Sequence, residues 1–353
     1  MILVVNAGST SLKLSAVDEA GSAEPVGSLE RAPADVAAVA HRIVHGGMRF
    51  SEPVVVGEQV EAALAALNEL APLHNRPALA AMDEARRALP AVPHVAVFDT
   101  AFHATLPDEA AEFAVPRRWR DEWEIRRYGF HGLSVQWASE RVPVRRLVVC
   151  HLGGGCSVTA VRDGRSVDTT MGFSPLDGVP MATRSGSIDP EIVLHLLRAG
   201  KLGLEEVEGA LESESGLLGL SGITPRVEEL ERSSEPAAQL ALRVFAHRVA
   251  GAIASMVASL DGIDALVFTA GVGEGSSYIR HGVCARISFL GVELDVETNA
   301  GAEPDTDVAA AGSAVRIVVL RAREDVVAAR AARRLLALPA QASIEPFVQS
   351  LPA

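Results

Sequence analysis

LVVNAGSTSLKLSAVDEAG (residues 3–21) and LVVCHLGGGCSVTAVRDGR (residues 147–165) follow one design. Each opens on a β-branched apolar strand, breaks at a Gly/Ser-rich turn, resumes as a second alternating strand and ends in a polar turn. Two such strand–turn–strand units in one chain predict a duplicated fold, with two similar domains facing each other across a cleft. Chance similarity between two unrelated hairpins is the alternative. Elsewhere strand-like apolar runs alternate with Ala/Leu-rich helical patterns, so the class is α/β. A third strand-then-glycine element, ALVFTAGVGEGS (265–276), follows a long helical stretch at 236–260. The segment 325–336 reads as a closing helix, with a loose tail from 339.

The first turn holds a further clue. Lys13 and Lys201 are the only lysines, against 30 arginines. A lysine kept beside Asn6, Ala7, Gly8, Ser9, Thr10 and Ser11 marks a place where a compact point charge is needed rather than a planar fork. Small polar residues after an apolar strand let backbone N–H groups approach an anion, phosphate above all. The same segment also reads as an ordinary hairpin turn.

Composition narrows the field. At 353 residues and 48% apolar content the chain can build two domains with full cores. A formal charge of −13 argues against nucleic acid or an anionic membrane surface as partner. Cys150, Cys156 and Cys284 are spaced for neither a disulfide framework nor a zinc site. No signal-peptide pattern and no apolar run of membrane-spanning length is read in the sequence. The expectation is a soluble cytoplasmic protein. The arginine-rich stretches 117–127 and 141–146 read as solvated surface.

Four short segments carry residues that local structure does not require. HRIVHGG holds His41, Arg42 and His45; its β-branched residues and Gly46–Gly47 make it a strand end rather than a metal-binding helix. FDTAFH sets Asp99 and His103 just past the strand HVAVF, where open α/β sheets place functional carboxylates. YGFHG frames His131 between Phe130 and glycine, and MATRSGSIDP puts Arg184 in a loop of small residues. Two arginines, a carboxylate, a histidine and phosphate-type loops are the parts of a phosphoryl-transfer site, which works by positioning and charge stabilisation. Arginine can also grip a substrate carboxylate bidentately. Neither a P-loop nor the protein-kinase motifs occur.

Taken in order, NAGSTSLK, HRIVHGG, PLHNRPAL, FDTAFHATLP, RYGFHGLS, HLGGGCS, SVDTTMGFSPLDG, TRSGSIDPEI and FTAGVGEGS resemble the motif series of the acetate kinase family. That family belongs to the superfamily of acetate and sugar kinases, heat-shock chaperone ATPases and actin. The resemblance runs from residue 1 to about 335, with a deletion between the first hairpin and His41. It implies an actin-like (ribonuclease H-like) duplicated fold with two domains flanking a nucleotide cleft. Residues 1–100 plus about 325–353 would form one domain and residues 101–324 the nucleotide-binding one.

The resemblance also implies roles. Arg42 and Arg184 would bind the carboxylate and stabilise the moving phosphoryl group, His131 would donate to it, and Asp99 would hold the arginines. Val44, Leu73, Phe130 and Pro175 would form the pocket for a substrate methyl group. Ser9, Ser11, Lys13, His151, Gly153, Gly154 and Gly155 would line the phosphate end, with Gly271, Val272 and Gly273 facing the nucleotide. Asn6 and Glu324 would place Mg²⁺, for which Mn²⁺ could substitute. The implied reaction is reversible transfer from ATP to acetate by direct in-line attack, giving acetyl phosphate and ADP, in a homodimer joined through its C-terminal domain. Three positions depart from the family: Gly154 stands where Asn is usual, Arg226 and Glu228 where Asp and Arg are usual, and Val135 where His is usual. Propionate or butyrate as acceptor, GTP or pyrophosphate as donor, and a non-catalytic nucleotide-binding regulator are the other readings.

Overall fold

Among the described residues of the computed structural model (1–7, 12–67, 72–339, 341 and 345–347, the side chains of 72–74 excepted), two six-stranded sheets form the frame. The first holds β1 (Ile2–Ala7), β2 (Leu12–Val17), β3 (Ala23–Val26), β4 (Ala38–Ile43), β5 (Val54–Val55) and β6 (His94–Phe98) in the order β3-β2-β1-β4-β6-β5. The second holds β7 (Arg146–Leu152), β8 (Cys156–Arg162), β9 (Arg165–Thr169), β10 (Ala265–Thr269), β11 (Thr306–Asp307) and β12 (Arg316–Leu320). Its order, read from the same end, is β9-β8-β7-β10-β12-β11.

The two sheets are built alike. In each, three antiparallel strands are followed by two strands parallel to the first, and a two-residue strand closes the far edge antiparallel. The duplicated α/β fold expected from the two LVV segments is therefore present down to the edge strand. The equivalence is shifted by one residue from the sequence alignment. Asn6 pairs with Lys13 one step before the hairpin ends at Ala7 and Leu12, and His151 pairs with Ser157 one step before the end at Leu152 and Cys156. Asn6 thus corresponds to His151, not to Cys150. A one-residue slip exchanges sheet faces, and Cys150 is fully buried in the core.

Alternation decides what packs where. Leu3, Val5 and Ala7 face a core with Leu64, Met82 and Phe98, under the helices Glu58–Ala66 and Pro72–Ala88. Ile2 and Val4 face the opposite side, where Val327, Ala328 and Ala332 of the helix Glu324–Leu335 cover them. The chain therefore leaves the first sheet after Phe98, builds the second, and returns to the first with its last long helix. In the second sheet Val148, Cys150 and Leu152 face Leu242, Phe245 and Ile253 of the helix Pro236–Leu260. Leu147 and Val149 face Val135 and Ala138 of the helix Gly132–Arg141. Each large aliphatic side chain so buried contributes about 1.5–3 kcal/mol.

One helix bears on the membrane reading, and the expectation of a solvated arginine surface needs correction. Pro236–Leu260 is long and apolar enough to cross a bilayer by length and composition, although here one face fills the second core. Arg127 is not merely solvated: it donates to the carbonyls of Ala110 and Thr170, pairs with Asp177 and stacks over Phe113. Arg146 likewise binds Asp264 through its backbone and guanidinium.

Candidate active site

The site begins as one row across the first sheet. Register sets Asn6 between Lys13 on β2 and Arg42 on β4, and Asp99 follows the end of β6 beside them. The Arg42 guanidinium grips Asp99 bidentately, through Nε at 3.0 Å and Nη2 at 2.5 Å. Its Nη1 donates to Asn6 Oδ1 at 3.0 Å and lies 3.2 Å from Glu324 Oε2. Asn6 Nδ2 completes the ring by donating to that same Glu324 oxygen at 3.2 Å.

Burial fixes the electrostatics of this row. Asp99 is 1% exposed; burial raises its pKa and the Arg42 contact opposes the rise. Burial also works against the charge of Arg42, but Asp99 and Glu324 outweigh it and raise the guanidinium pKa. For Glu324, burial is outweighed by Arg42, His151, Asn6 and Lys13, which hold its pKa below the usual value. The row is a compensated cluster with Arg42 at its centre.

The second sheet supplies a matching row. His151 lies between Ser157 on β8 and Thr269 on β10, and its Nδ1 meets Ser134 Oγ at 2.8 Å. Its ring stacks on His131 at a centroid distance of 4.0 Å. His131 Nδ1 meets Ser157 Oγ at 3.0 Å. Burial, followed by His151, Arg42 and Arg184, pushes the His131 pKa well below its ordinary value. Burial takes His151 to about 4. Both rings are therefore neutral hydrogen-bonding groups near neutral pH.

Backbone strain aims His131. Its φ of +59° is left-handed, a region that non-glycine residues rarely occupy. The turn is enforced from two sides. A Cβ on Gly132 would lie 2.0 Å from the Asp99 carbonyl, and Gly132 N–H donates to that carbonyl at 3.0 Å. His103 braces the other side, with Nε2 to the Phe130 carbonyl at 2.9 Å and Nδ1 to Ser166 Oγ at 2.8 Å. Of the pair in FDTAFH, Asp99 thus serves the site and His103 its scaffold.

Arg184 approaches from the loop after β9. A Cβ on Gly155 would stand 3.3 Å from Arg184 Nη1 and 3.2 Å from His131 Nε2, so the two side chains converge over that glycine. The same Nη1 donates to the Pro175 carbonyl at 3.3 Å, and Nε lies 3.4 Å from Glu212 Oε2.

These groups open on a cleft of about 890 Å³. Its wall includes Asn6, Lys13, Arg42, Glu324, His131, His151, Gly153, Gly154, Gly155, Gly271 and Val272. Two helices, Gly132–Arg141 and Glu324–Leu335, begin at this wall, where helix N-termini favour anions. Other expected residues are placed differently. Gly273 is buried beneath its turn, its Cβ position 3.3 Å from the Phe268 backbone, and is not on the wall. Asp99 and Arg184 stand behind the wall; Val44 and Phe130 are buried in the second core, with Pro175 also buried. None of these three lines the cleft. Ser9 and Ser11 lie outside the described residues, as does the side chain of Leu73.

Several contributors gave no sequence signal. Ser134 and Ser157 are serines among apolar neighbours. Ala270 begins its helix at φ +65° on the cleft wall, and Glu274 Oε1 accepts from the N–H groups of Ala270 and Ala322. Arg280, 1% exposed, donates to the carbonyls of Gly273 and Glu274. Arg226 and Glu228, the expected departures, line the outer cleft and form local ion pairs with Glu229 and Arg232.

Among the described residues no group of three or more His, Cys, Asp or Glu could cage an ion. Mg²⁺ needs no such cage, since it usually takes one or two protein oxygens plus substrate phosphates. Glu324, a largely enclosed carboxylate on the cleft wall whose pKa is held below the usual value, fits that pattern. Asn6 fits as the residue that orients Glu324, because its own Oδ1 already accepts from Arg42.

The model of the acetokinase family matches residues 26–330. An acetate kinase of Trichormus variabilis is 45% identical over 327 residues, covering 90% of this chain and 80% of that one. An acetate kinase of Gloeobacter violaceus is 45% identical over 84% of this chain and 76% of its own length. Among solved structures, a propionate kinase from Francisella tularensis superposes with a TM-score of 0.87 at 33% identity, covering 94% of this chain and 98% of that one. Acetate kinase from Porphyromonas gingivalis superposes at 0.82 with 28% identity, covering 95% and 99%. The chain belongs to the acetokinase family.

Proposed function

We propose that the protein is an acetate kinase, transferring the γ-phosphoryl group of ATP to acetate to give acetyl phosphate and ADP. The observation that carries this reading is the convergence of Arg42 and His131 on the wall of the cleft, with Arg184 directly behind it and meeting His131 over Gly155. Two arginines can meet both a carboxylate and the charge that spreads over three equatorial oxygens. A neutral imidazole beside them can donate a hydrogen bond that strengthens as charge develops. The acetate oxygen forms the new bond to phosphorus as the bond to the β–γ bridging oxygen breaks. A carboxylate is already ionised at pH 7, so no general base has to be found in the site. Asp99 keeps Arg42 oriented, Lys13 adds a point charge at the phosphate end, and domain closure over the cleft would exclude water as a competing acceptor.

Glu324, oriented by Asn6, would hold Mg²⁺. When bound, the ion supplies charge neutralisation along the donor phosphates. A homodimer is part of the proposal, supported by exposed Ile192 and Leu194 on the helix Pro190–Arg198, which buries no residue, and by exposed Leu204 nearby. A cytoplasmic location accords with three free, buried cysteines. The test is acyl phosphate formation, trapped as hydroxamate, with Mg²⁺ and ATP against acetate, propionate and butyrate. Acetate is expected to have the highest kcat/KM. A higher value for propionate would move the assignment to propionate kinase, and no turnover with any acid or donor would favour a nucleotide-binding regulator.

A further inference from the structure

The loop bearing Arg184 is laced to the end of the helix Leu204–Ser213. Thr183 Oγ1 donates to the Glu212 carbonyl at 3.0 Å, Ser185 N–H to the Leu211 carbonyl at 3.0 Å, and Ser215 N–H to the Thr183 carbonyl at 2.9 Å. Gly216, at φ +61°, makes the close approach feasible: a Cβ there would lie 2.2 Å from the Met181 carbonyl. From this joint one side chain reaches back toward the site. Glu212 Oε2 lies 3.4 Å from Arg184 Nε, with side-chain exposures of 17% and 14%. The distance describes an ion pair rather than a close hydrogen bond.

A carboxylate so placed has a cost. The site must accept two anionic substrates, and a third negative charge repels both. A neutral amide could tie down Nε without that penalty. Arg42 already has Asp99 and Glu324 as partners, whereas the Arg184 guanidinium is largely buried beside His131. The Glu212 carboxylate at its Nε edge contributes to compensating that charge. Burial lowers the Arg184 pKa and raises that of Glu212, and each partner's charge opposes the other's shift.

We propose that Glu212 is a positioning residue for Arg184. It holds the Nε edge while the Pro175 carbonyl holds Nη1, which keeps the guanidinium over Gly155 and against His131. The inference rests on the acetate kinase reading, in which Arg184 meets the acceptor carboxylate. Glu212 therefore governs binding and alignment of the acceptor, and it is itself absent from the wall of the cleft where the donor would lie.

The experiment compares Glu212→Ala and Glu212→Gln with the unaltered enzyme, varying acetate and Mg·ATP separately. For Glu212→Ala, acetate KM rises about tenfold and kcat falls about tenfold, while the KM for Mg·ATP stays within about twofold. Glu212→Gln, which keeps an acceptor atom, recovers part of the lost kcat. Equal changes in both KM values, or no change in any parameter, would overturn the proposal. A second readout separates it from the assignment of function. In protein labelled with nitrogen-15 arginine, the Arg184 Nε–H signal is identified by its loss in Arg184→Lys. It exchanges slowly in the unaltered protein and markedly faster in Glu212→Ala. If the unaltered protein makes no acyl phosphate, the acetate kinase reading fails, and equal exchange in the two proteins would then also overturn the positioning role.

Discussion

Gly155→Ala tests the convergence of the two key side chains with one methyl group. The new Cβ would stand 3.2 Å from His131 Nε2, 3.3 Å from Arg184 Nη1 and 3.4 Å from His131 Cε1. Comfortable heavy-atom contacts begin at about 3.5 Å, so His131, Arg184 or both must retreat by a few tenths of an ångström. His131 is held by Ser157 and the stacked His151, and Arg184 by Pro175 and Glu212; neither can swing away without breaking a contact. A displacement of about 1 Å at such groups can cost ~100-fold in rate. A shift of a few tenths is expected to cost about tenfold in kcat, or ~1.4 kcal/mol of barrier. Gly155 does not use left-handed backbone, so alanine is tolerated there and its smaller unfolded-state entropy offsets some of the crowding. The assay pairs hydroxamate-trapped turnover with a thermal melt. Reduced kcat with an unchanged Tm is the expected result. Full kcat in a folded variant would refute the reasoning, because the methyl cannot be seated without moving one of the two side chains.

Gly154 gives the complementary case: a Cβ there meets nothing within 4 Å. Gly154→Asn should fold normally and lower the KM for Mg·ATP by adding a donor over the cleft; a loss of folding would contradict the open geometry. Arg42→Ala should destabilise the protein by about 3–5 kcal/mol in urea unfolding, because Asp99 is left buried and unpaired; a loss below about 1 kcal/mol would deny that burial. Glu324→Gln should raise the Mg²⁺ concentration for half-maximal activity at least about tenfold, and an unchanged Mg²⁺ titration would remove Glu324 from the metal's surroundings. Burial depresses His41 to about 3 and His45, His103 and His151 to about 4, from 6.5. For groups lowered in this direction the unfolded chain takes up the proton first. Stability is full above about pH 6.5 and falls toward pH 4, by up to about 1.4 kcal/mol per pH unit for each histidine. Urea melts at pH 7, 6 and 5 that show no such slope would contradict their buried neutral state.

The parts of this architecture that were legible in the sequence are those written in periodicity and punctuation. Two alternating hairpins disclosed the duplication, and HVAVF disclosed the strand that delivers Asp99. Periodicity did not fix register: the shared LVV aligns Asn6 with Cys150, whereas the hairpin registers make His151 its counterpart, which faces the cleft while Cys150 fills the core. Local pattern also could not divide the work between Asp99 and His103, which stand four residues apart and turn to opposite tasks. Partners distant in the chain left no trace. Glu212 is one acid on a helix that also carries Glu205, Glu206 and Glu208, and only the fold brings it to Arg184. Ser134 and Ser157 became intelligible once their histidines were seen beside them. Gly273, expected to face the nucleotide, serves packing beneath the turn.

In the proposed reaction Arg42, His131 and Arg184 act together on one phosphoryl group in transit to a carboxylate. The most direct measurement is hydroxamate-trapped acetyl phosphate from Arg42→Ala, His131→Ala and Arg184→Ala beside the unaltered enzyme, with circular dichroism to verify folding. Robust turnover by the unaltered protein is expected, with a loss of at least about 100-fold in kcat for each folded variant, consistent with removal of a transition-state donor. A folded Arg184→Ala or His131→Ala protein that kept near-normal kcat would contradict it.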